Sequence, residues 1–431
     1  MKRAAFYTLG CKVNQYETEA MEELFVSAGY TLTPFDETAD IYIINTCSVT
    51  NMSDRKSRQM IRRAKKQNPD AIVAVTGCYA QTASAEVCEI EGVNLVLGTK
   101  GRNEIVKLCE AASPHECTCL VGDIMHNHEF ESLKITKYTE RTRAFIKIQE
   151  GCNQFCSYCI IPYARGPVRS RDEAEVISEI KELAKNGYKE IILVGIHVAS
   201  YGKDSGNTSL EQLLIKADEI DGIERIRLSS IEPMTLNHEF VEKIRKAKKL
   251  CTHFHISLQS GCDETLKRMN RKYTTAQFKE IVDGLRSAFK NVAITTDIMV
   301  GFAGETDEEF LDTLKFIDDI GFSDAHVFQY SQRKGTPAAK RPDQIDPMIK
   351  EERSKLVIEH TTKSKDKFLS EFIGSTMPVL FEQRTKNNMF EGKTDNYITV
   401  HAPSDEDISG EIKNVCLLEL KNGIITGKII D

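Results

Sequence analysis

The chain has 431 residues, no tryptophan and a formal charge of -7, enough for two or three domains with sizeable cores and too acidic for a polypeptide that is basic throughout, so an RNA partner has to be held by local patches. No apolar run approaches the ~18 residues of a membrane span and the N-terminus lacks a signal-type apolar core, so a soluble, cytoplasmic protein without a membrane partner is expected. Thirteen cysteines scattered along the chain point to metal or redox chemistry in a reducing compartment rather than to a disulfide framework.

In chain order, the first β-rich runs are "AAFYTL" at residues 4–9, "IYIINT" from Ile41 and "AIVAVTG" from Ala71, separated by helical patterns. This is a βαβαβ unit and therefore a parallel sheet. A cysteine follows each run, Cys11, Cys47 and Cys78. In a parallel sheet the three strand ends share one edge, so three cysteines far apart in sequence are expected to converge there. Three separately buried cysteines are the plain alternative. After Cys47 comes "DRKSRQMIRRAKK", with Arg55, Lys56, Arg58, Arg62, Arg63, Lys65 and Lys66 against one acid. A helix there presents a basic face, either solvated or holding phosphates through Arg58, Arg62, Arg63 and Lys66.

A second alternation runs through "AFIKIQ" from Ala144, "EIILVGI" from Glu190, "RIRLSSI" from Arg225, "HFHISLQ" from His253, "VAITTDIMVG" from Val292 and "AHVFQY" from Ala325. Six βα units predict a partial barrel with its chemistry at the C-terminal strand ends. Cys152, Cys156 and Cys159 follow the first strand. Structural zinc sites use four ligands in short pairs; three thiolates on an iron–sulfur cluster leave one iron open. Candidate ligand-binding groups at the other strand ends are Gly195, His197, Tyr201, Ser230, Glu232, Gln259, Gly301 and Gly304. Tyr163 and Arg165, beyond the cysteine loop, are candidates for positioning substrate, with a solvated loop as the alternative. Cys88, Cys109, Cys251, Cys262 and Cys416 read as small core residues, and Cys117 and Cys119, near His115, His126 and His128, resemble a metal tract only in composition.

A long helical pattern over residues 346–370 leads into short strands with an Asn-Gly hairpin signal in "CLLELKNGIITGKII". The expected fold class is α/β: an N-terminal parallel α/β domain (1–115), a linker (116–136), a partial (βα)6 barrel (137–345), a connecting helix (346–370) and a small antiparallel β-barrel (371–431). Residues 370–431 carry six Lys plus Arg against ten Asp plus Glu, a net of -4, so shape or a clustered patch has to carry any RNA contact made by this last domain.

The spacing in "CNQFCSYC" is similar to the signature of radical S-adenosylmethionine (SAM) enzymes. With "TLGCKVNQYET", "NTCSVT", "TGCYAQ", "CIIPYARG" and "HISLQSG", the whole chain resembles the radical SAM methylthiotransferases, and "TLGCKVNQYE" resembles the branch that acts on N6-threonylcarbamoyladenosine beside the tRNA anticodon. The branches acting on isopentenyladenosine or on a ribosomal protein are the alternatives, and a non-catalytic iron–sulfur RNA-binding protein is the remoter one. The resemblance implies two [4Fe-4S] clusters, one on Cys152, Cys156 and Cys159 that chelates SAM and one on Cys11, Cys47 and Cys78. It further implies SAM contacts at the strand ends, a flavodoxin- or ferredoxin-like electron donor, a sulfur source, tRNA as substrate, and a C-terminal domain like the RNA-binding TRAM domain.

Overall fold

The computed structural model describes residues 2–135 and 142–430. Strands β1 (Arg3–Thr8), β2 (Thr31–Leu32), β3 (Ile41–Thr46), β4 (Ile72–Gly77), β5 (Leu95–Val96) and β6 (Thr118–Cys119) form one parallel sheet in the order β2-β1-β3-β4-β5-β6. Helices α1 (Lys12–Ser27), α2 (Asn51–Gln67), α3 (Cys78–Thr82), α4 (Ser84–Cys88) and α5 (Ile105–Ala111) connect them. All six residues of β3 are buried, as expected for a central parallel strand covered on both faces. The sheet continues through Cys119, whereas the sequence places the domain's end at residue 115. A two-residue strand has no periodicity to read, and only its pairing with β5 reveals it. The expected boundary at 136/137 lies outside the described residues.

The second domain contains the six expected parallel strands, β7 (Arg143–Glu150), β9 (Glu190–Gly195), β10 (Arg225–Leu228), β11 (His253–His255), β12 (Ala293–Val300) and β13 (Asp324–Gln329). Short bridges Ile226↔Leu250 and Ile231↔Ile256 join the β7-β9-β10 half to the β11-β12-β13 half. A short strand, β8 (Arg169–Ser170), pairs antiparallel with the end of β7 and was not expected from the sequence. Helices α6 (Ile161–Arg165), α7 (Glu173–Lys185), α8 (Leu210–Asp218), α9 (His238–Ile244), α10 (Asp263–Arg268), α11 (Thr275–Ala288) and α12 (Asp307–Ile320) follow the strands. Helix α1 of the first domain packs on β7 and β9, and its Val13, Tyr16 and Ala20 are buried in the same core as the barrel strands. The first domain thus closes against the barrel through an apolar face.

Helix α13 (Pro347–Ser370) packs on β13 and α12 and leads to a closed five-stranded barrel of β14 (Thr376–Arg384), β15 (Met389–Thr394), β16 (Thr399–Pro403), β17 (Ile412–Lys421) and β18 (Ile424–Ile429). Asn422 and Gly423 turn β17 into β18 with φ of 51° and 73°, the left-handed pair that a tight hairpin needs. Among the described residues no helix is long and apolar enough to cross a membrane.

Candidate active site

Strands β1, β3 and β4 are neighbours, so Cys11, Cys47 and Cys78 stand at one sheet edge. The chain reaches this edge through tight approaches. A Cβ on Gly10 (φ 106°) would lie 2.8 Å from Cβ of Cys47, and one on Gly77 (φ 96°) 2.5 Å from the Thr46 carbonyl oxygen, so only glycine fits. Asn14 donates to the carbonyls of Leu9 and Thr46 at 2.7 and 3.0 Å and ties the two loops together. Burial pushes the Cys78 thiol up to about 12, with Arg165 opposing it and Cys47 and Cys11 adding to it.

The second thiol set lies in the loop after β7. Phe155, between the first two cysteines, adopts φ 46°, a left-handed conformation that an aromatic residue seldom takes and that bends the loop between Cys152 and Cys156. Burial raises the Cys152 thiol to about 11 and the Cys159 thiol to about 12.

Donors point at the sulfurs of both sets. Val49 N–H reaches Cys47 Sγ at 3.5 Å, Arg165 Nε reaches Cys78 Sγ at 3.2 Å, Gln154 N–H reaches Cys152 Sγ at 3.4 Å and Arg271 Nη1 reaches Cys156 Sγ at 3.4 Å. N–H···S bonds to thiolates are how proteins stabilise and tune iron–sulfur clusters, so each set fits a cluster held by three thiolates. Among the described residues no group of His, Cys, Asp and Glu is spaced for a single metal ion. Cys88, Cys117 and Cys119 interact with one another, while His126 is bonded to Asp123.

Arg165 corrects one expectation. It is fully buried, not part of a solvated loop. Its guanidinium donates to Cys78, to Asn14 Oδ1 at 2.5 Å, to Glu17 Oε1 at 2.6 Å and to Glu150 Oε1 at 2.9 Å. The loop carrying one thiol set is thereby bonded to a sulfur of the other. Arg102 and Lys147 join the same buried network on Glu17. Burial raises the Glu17 carboxyl, but Arg102, Arg165 and Lys147 outweigh it and hold the group well below the usual carboxylate range. Tyr163 is exposed and packs edge-on against Phe155.

The strand-end candidates divide. Gly195 and Ser230 line a cavity of about 770 Å³ that also reaches Cys11 and Ile161, two residues beyond Cys159. Arg271, which binds Cys156, also donates to Glu232 at 3.0 Å. His197 Nε2 lies 3.9 Å from Glu232 and is buried without a hydrogen-bond partner; burial pushes this imidazole down to about 4, so it is neutral at pH 7. An orphaned polar atom beside a fixed carboxylate is the mark of a site awaiting a polar ligand. Tyr201, by contrast, is buried in the barrel core. Gln259 bonds through its backbone to Asp297 and Met299 and does not line the cavity. A Cβ on Gly301 would meet Lys350 at 2.3 Å and one on Gly304 would meet Asp343 at 2.5 Å. These two glycines make room for α13 and the segment before it, not for a ligand in the cavity. Arg271 and Gln149, whose Oε1 accepts from His197 N–H at 2.7 Å, were not singled out in the sequence; neither lies in a recognisable motif.

The cavity's far end is closed by the C-terminal barrel. Tyr397 (φ 72°) stacks on His253 with ring centroids 4.6 Å apart, and the cations of Arg227 and Lys393 lie 4.7 and 4.9 Å from its ring. Part of this domain's work is therefore to floor the barrel, which fits its acidic balance.

On helix α2, Arg58 is engaged by Glu86 and Tyr79 and Arg63 by Asp36. Arg55, Lys56, Arg62 and Lys66 are exposed. Asp54 and Asn51, at the helix start, are held by Arg333 of the second domain at 2.6 and 2.8 Å, which fixes the helix relative to the barrel.

Residues 146–317 match the radical SAM superfamily, and residues 3–98 match the uncharacterized protein family UPF0004. The chain is 45% identical over 425 residues to threonylcarbamoyladenosine tRNA methylthiotransferase MtaB of Bacillus subtilis (strain 168), covering 97% of this chain and 94% of that one. It is 39% identical to the MtaB of Aquifex aeolicus (strain VF5), covering 92% and 96%. It is 36% identical to tRNA-2-methylthio-N(6)-dimethylallyladenosine synthase of Thermoanaerobacter pseudethanolicus, covering 98% and 92%. Among solved structures, the radical S-adenosylmethionine methyltransferase TsrM from Kitasatospora setae shares the fold with a TM-score of 0.58 at 15% identity, covering 79% of this chain and 74% of that one. With a cavity that reaches Cys11 and the start of the helix after the second thiol loop, and relatives of this identity along nearly its full length, the chain belongs to the radical SAM methylthiotransferase family.

Proposed function

We propose that the protein transfers a methylthio group to carbon 2 of N6-threonylcarbamoyladenosine next to a tRNA anticodon. The observation that carries this reading is the single cavity reaching from Cys11 of one thiol set to the end of the loop that bears the other, together with the Arg165–Cys78 bond that locks the two loops. When bound, a [4Fe-4S] cluster with SAM at Cys152, Cys156 and Cys159 supplies one-electron cleavage of SAM, and a second cluster at Cys11, Cys47 and Cys78 supplies the sulfur.

The chain's own residues do the holding. Arg271 fixes Glu232 beside the first thiol set, and neutral His197 presents an unoccupied nitrogen next to it. The cavity is of a size that takes a nucleoside turned out of a single-stranded loop. Exposed Arg55, Lys56, Arg62 and Lys66 on α2, directly after the Cys47 loop, provide sequence-independent attraction for the flanking phosphates. The chain's division follows from this: residues 1–119 carry the sulfur-donating thiols, the barrel carries the SAM-binding thiols, and the last domain floors the cavity. Nucleoside mass spectrometry of tRNA from cells with and without the gene tests the reading. Loss of 2-methylthio-N6-threonylcarbamoyladenosine on deletion is expected, and its persistence would overturn it.

A further inference from the structure

We infer that Lys12 is the residue that selects the base by the negative charge of its N6 substituent, the carboxylate of the threonylcarbamoyl arm; this rests on the substrate reading above. Lys12 directly follows Cys11 and its side chain lines the cavity, exposed to that space. The charged groups it faces are Arg143, Arg227 and Glu190, with Tyr397, at the cavity floor. Each of the charged groups around it has at least one partner. Arg143 pairs with Glu382 at 3.0 Å, Arg227 with Glu190 at 2.7 Å, Lys365 with Asp324 at 2.8 Å and His255 with Asp297 at 3.2 Å. Arg225 donates to the carbonyls of Lys393 and Pro378, and Lys393 to the Thr399 hydroxyl. Among the described residues no hydrogen bond or ion pair engages Lys12. The floor thus carries Lys12, Arg143, Arg225, Arg227 and Lys393 against Glu190, Glu382 and Asp395, a positive excess of two, in which Arg143 Nη1 is buried without a hydrogen bond, Lys393 has only a hydroxyl, and Lys12 has no partner.

An uncompensated ammonium inside a cavity loses hydration and regains it only from an anionic ligand. An isopentenyl arm offers it nothing and leaves it unpaired, whereas a carboxylate pairs with it; the same charge attracts one substrate and rejects the other. The chemistry of the base fits this placement. Carbon 2 and the N6-bearing carbon both flank N1 of adenine. A base that presents carbon 2 to the thiol set containing Cys11 therefore brings an N6 arm that folds over N1 towards the cavity wall beside Cys11. Lys12 lines the cavity there together with Cys11.

The test uses full-length reconstituted enzyme and two anticodon stem-loop RNAs, one bearing N6-threonylcarbamoyladenosine and one bearing its carboxyl methyl ester. Wild-type enzyme is expected to prefer the acid about ten- to a hundredfold in kcat/KM, the range for a hydrogen bond to a charged group. Lys12→Gln should lose that factor on the acid, chiefly through KM, and remain within about threefold of wild type on the ester, while Lys12→Arg retains most of the preference. Equal losses on both RNAs would overturn the proposal, because Lys12 would then serve Cys11 and not the carboxylate. Wild-type enzyme that treats acid and ester alike would overturn it without any variant. Failure of the underlying substrate reading looks different: wild-type enzyme would then modify an isopentenyladenosine stem-loop and leave both threonylcarbamoyl RNAs untouched.

Discussion

Glu17→Gln removes one negative charge and no volume from the centre of the buried network. The Glu17 carboxylate accepts from Lys147 at 2.7 Å and from Arg165 at 2.6 and 3.1 Å, and pairs with Arg102. Its side chain and those of Arg102 and Arg165 are 0% exposed. With Glu17 neutral, Arg102, Lys147 and Arg165 face only Glu150 and Glu131, and one buried cation is uncompensated. Breaking a buried pair from one side costs about 3–5 kcal/mol, a large share of the total stability of a domain. At about 2–4 °C per kcal/mol for units of this size, the midpoint should fall by ~6–20 °C. The assay is thermal unfolding of anaerobically reconstituted protein by circular dichroism, with Glu242→Gln, which breaks a half-exposed surface pair with Arg245, as a control expected to change little. Glu17 and Arg102 belong to the first domain and Lys147, Glu150 and Arg165 to the second, so the first transition to move should be undocking of the two. A Glu17→Gln midpoint within ~3 °C of wild type would refute the claim that this network holds the domains together.

The same carboxyl sets a pH dependence: since its folded pKa is depressed from the ordinary 4.5, its stabilisation is complete above that value and is lost as pH falls below it, so the gap in midpoint between wild type and Glu17→Gln should shrink below about pH 4.5, and a gap constant down to pH 3 would contradict this. Cys152→Ala, Cys156→Ala or Cys159→Ala should abolish 5′-deoxyadenosine formation with dithionite; wild-type amounts would remove the SAM assignment. Reversing Arg62 and Lys66, two of the exposed charges of α2, should weaken tRNA binding across sequences and flatten its salt dependence, and titrations at two salt concentrations that superimpose on wild type would return α2 to a solvated face. Tyr397→Ala removes the ring stacked on His253 and surrounded by cations, so it should destabilise the C-terminal barrel's seat and raise KM for RNA more than it lowers kcat; unchanged KM would mean the floor does not bound the substrate cavity.

The parts of this molecule written as local pattern were legible before any coordinates. Strands ending in Cys11, Cys47 and Cys78, six βα units behind one cysteine loop, and an Asn-Gly hairpin each carry their signal within a few residues. What was hidden is what only packing decides. Arg165 reads as a loop residue near a cofactor, yet it is drawn inward because Glu17, Glu150 and Cys78, from distant parts of the chain, supply acceptors around it. Gly301 and Gly304 look like backbone openings for a ligand until Lys350 and Asp343 occupy the space. The floor of the cavity is contributed by Tyr397, more than a hundred residues after the strand it stacks on, and no periodicity encodes that contact. Lys12, a cation adjacent to Cys11, is a local signal that the sequence reading passed over.

The most direct test of the account is a variant combining Cys11→Ala, Cys47→Ala and Cys78→Ala, with iron, 5′-deoxyadenosine and methylthiolated nucleoside measured on one preparation. Two independent three-thiolate sites predict that it retains roughly half the wild-type iron, still cleaves SAM reductively, and forms no methylthio product. Methylthiolated RNA from this variant would contradict the account, since sulfur would then reach the base without the N-terminal thiols.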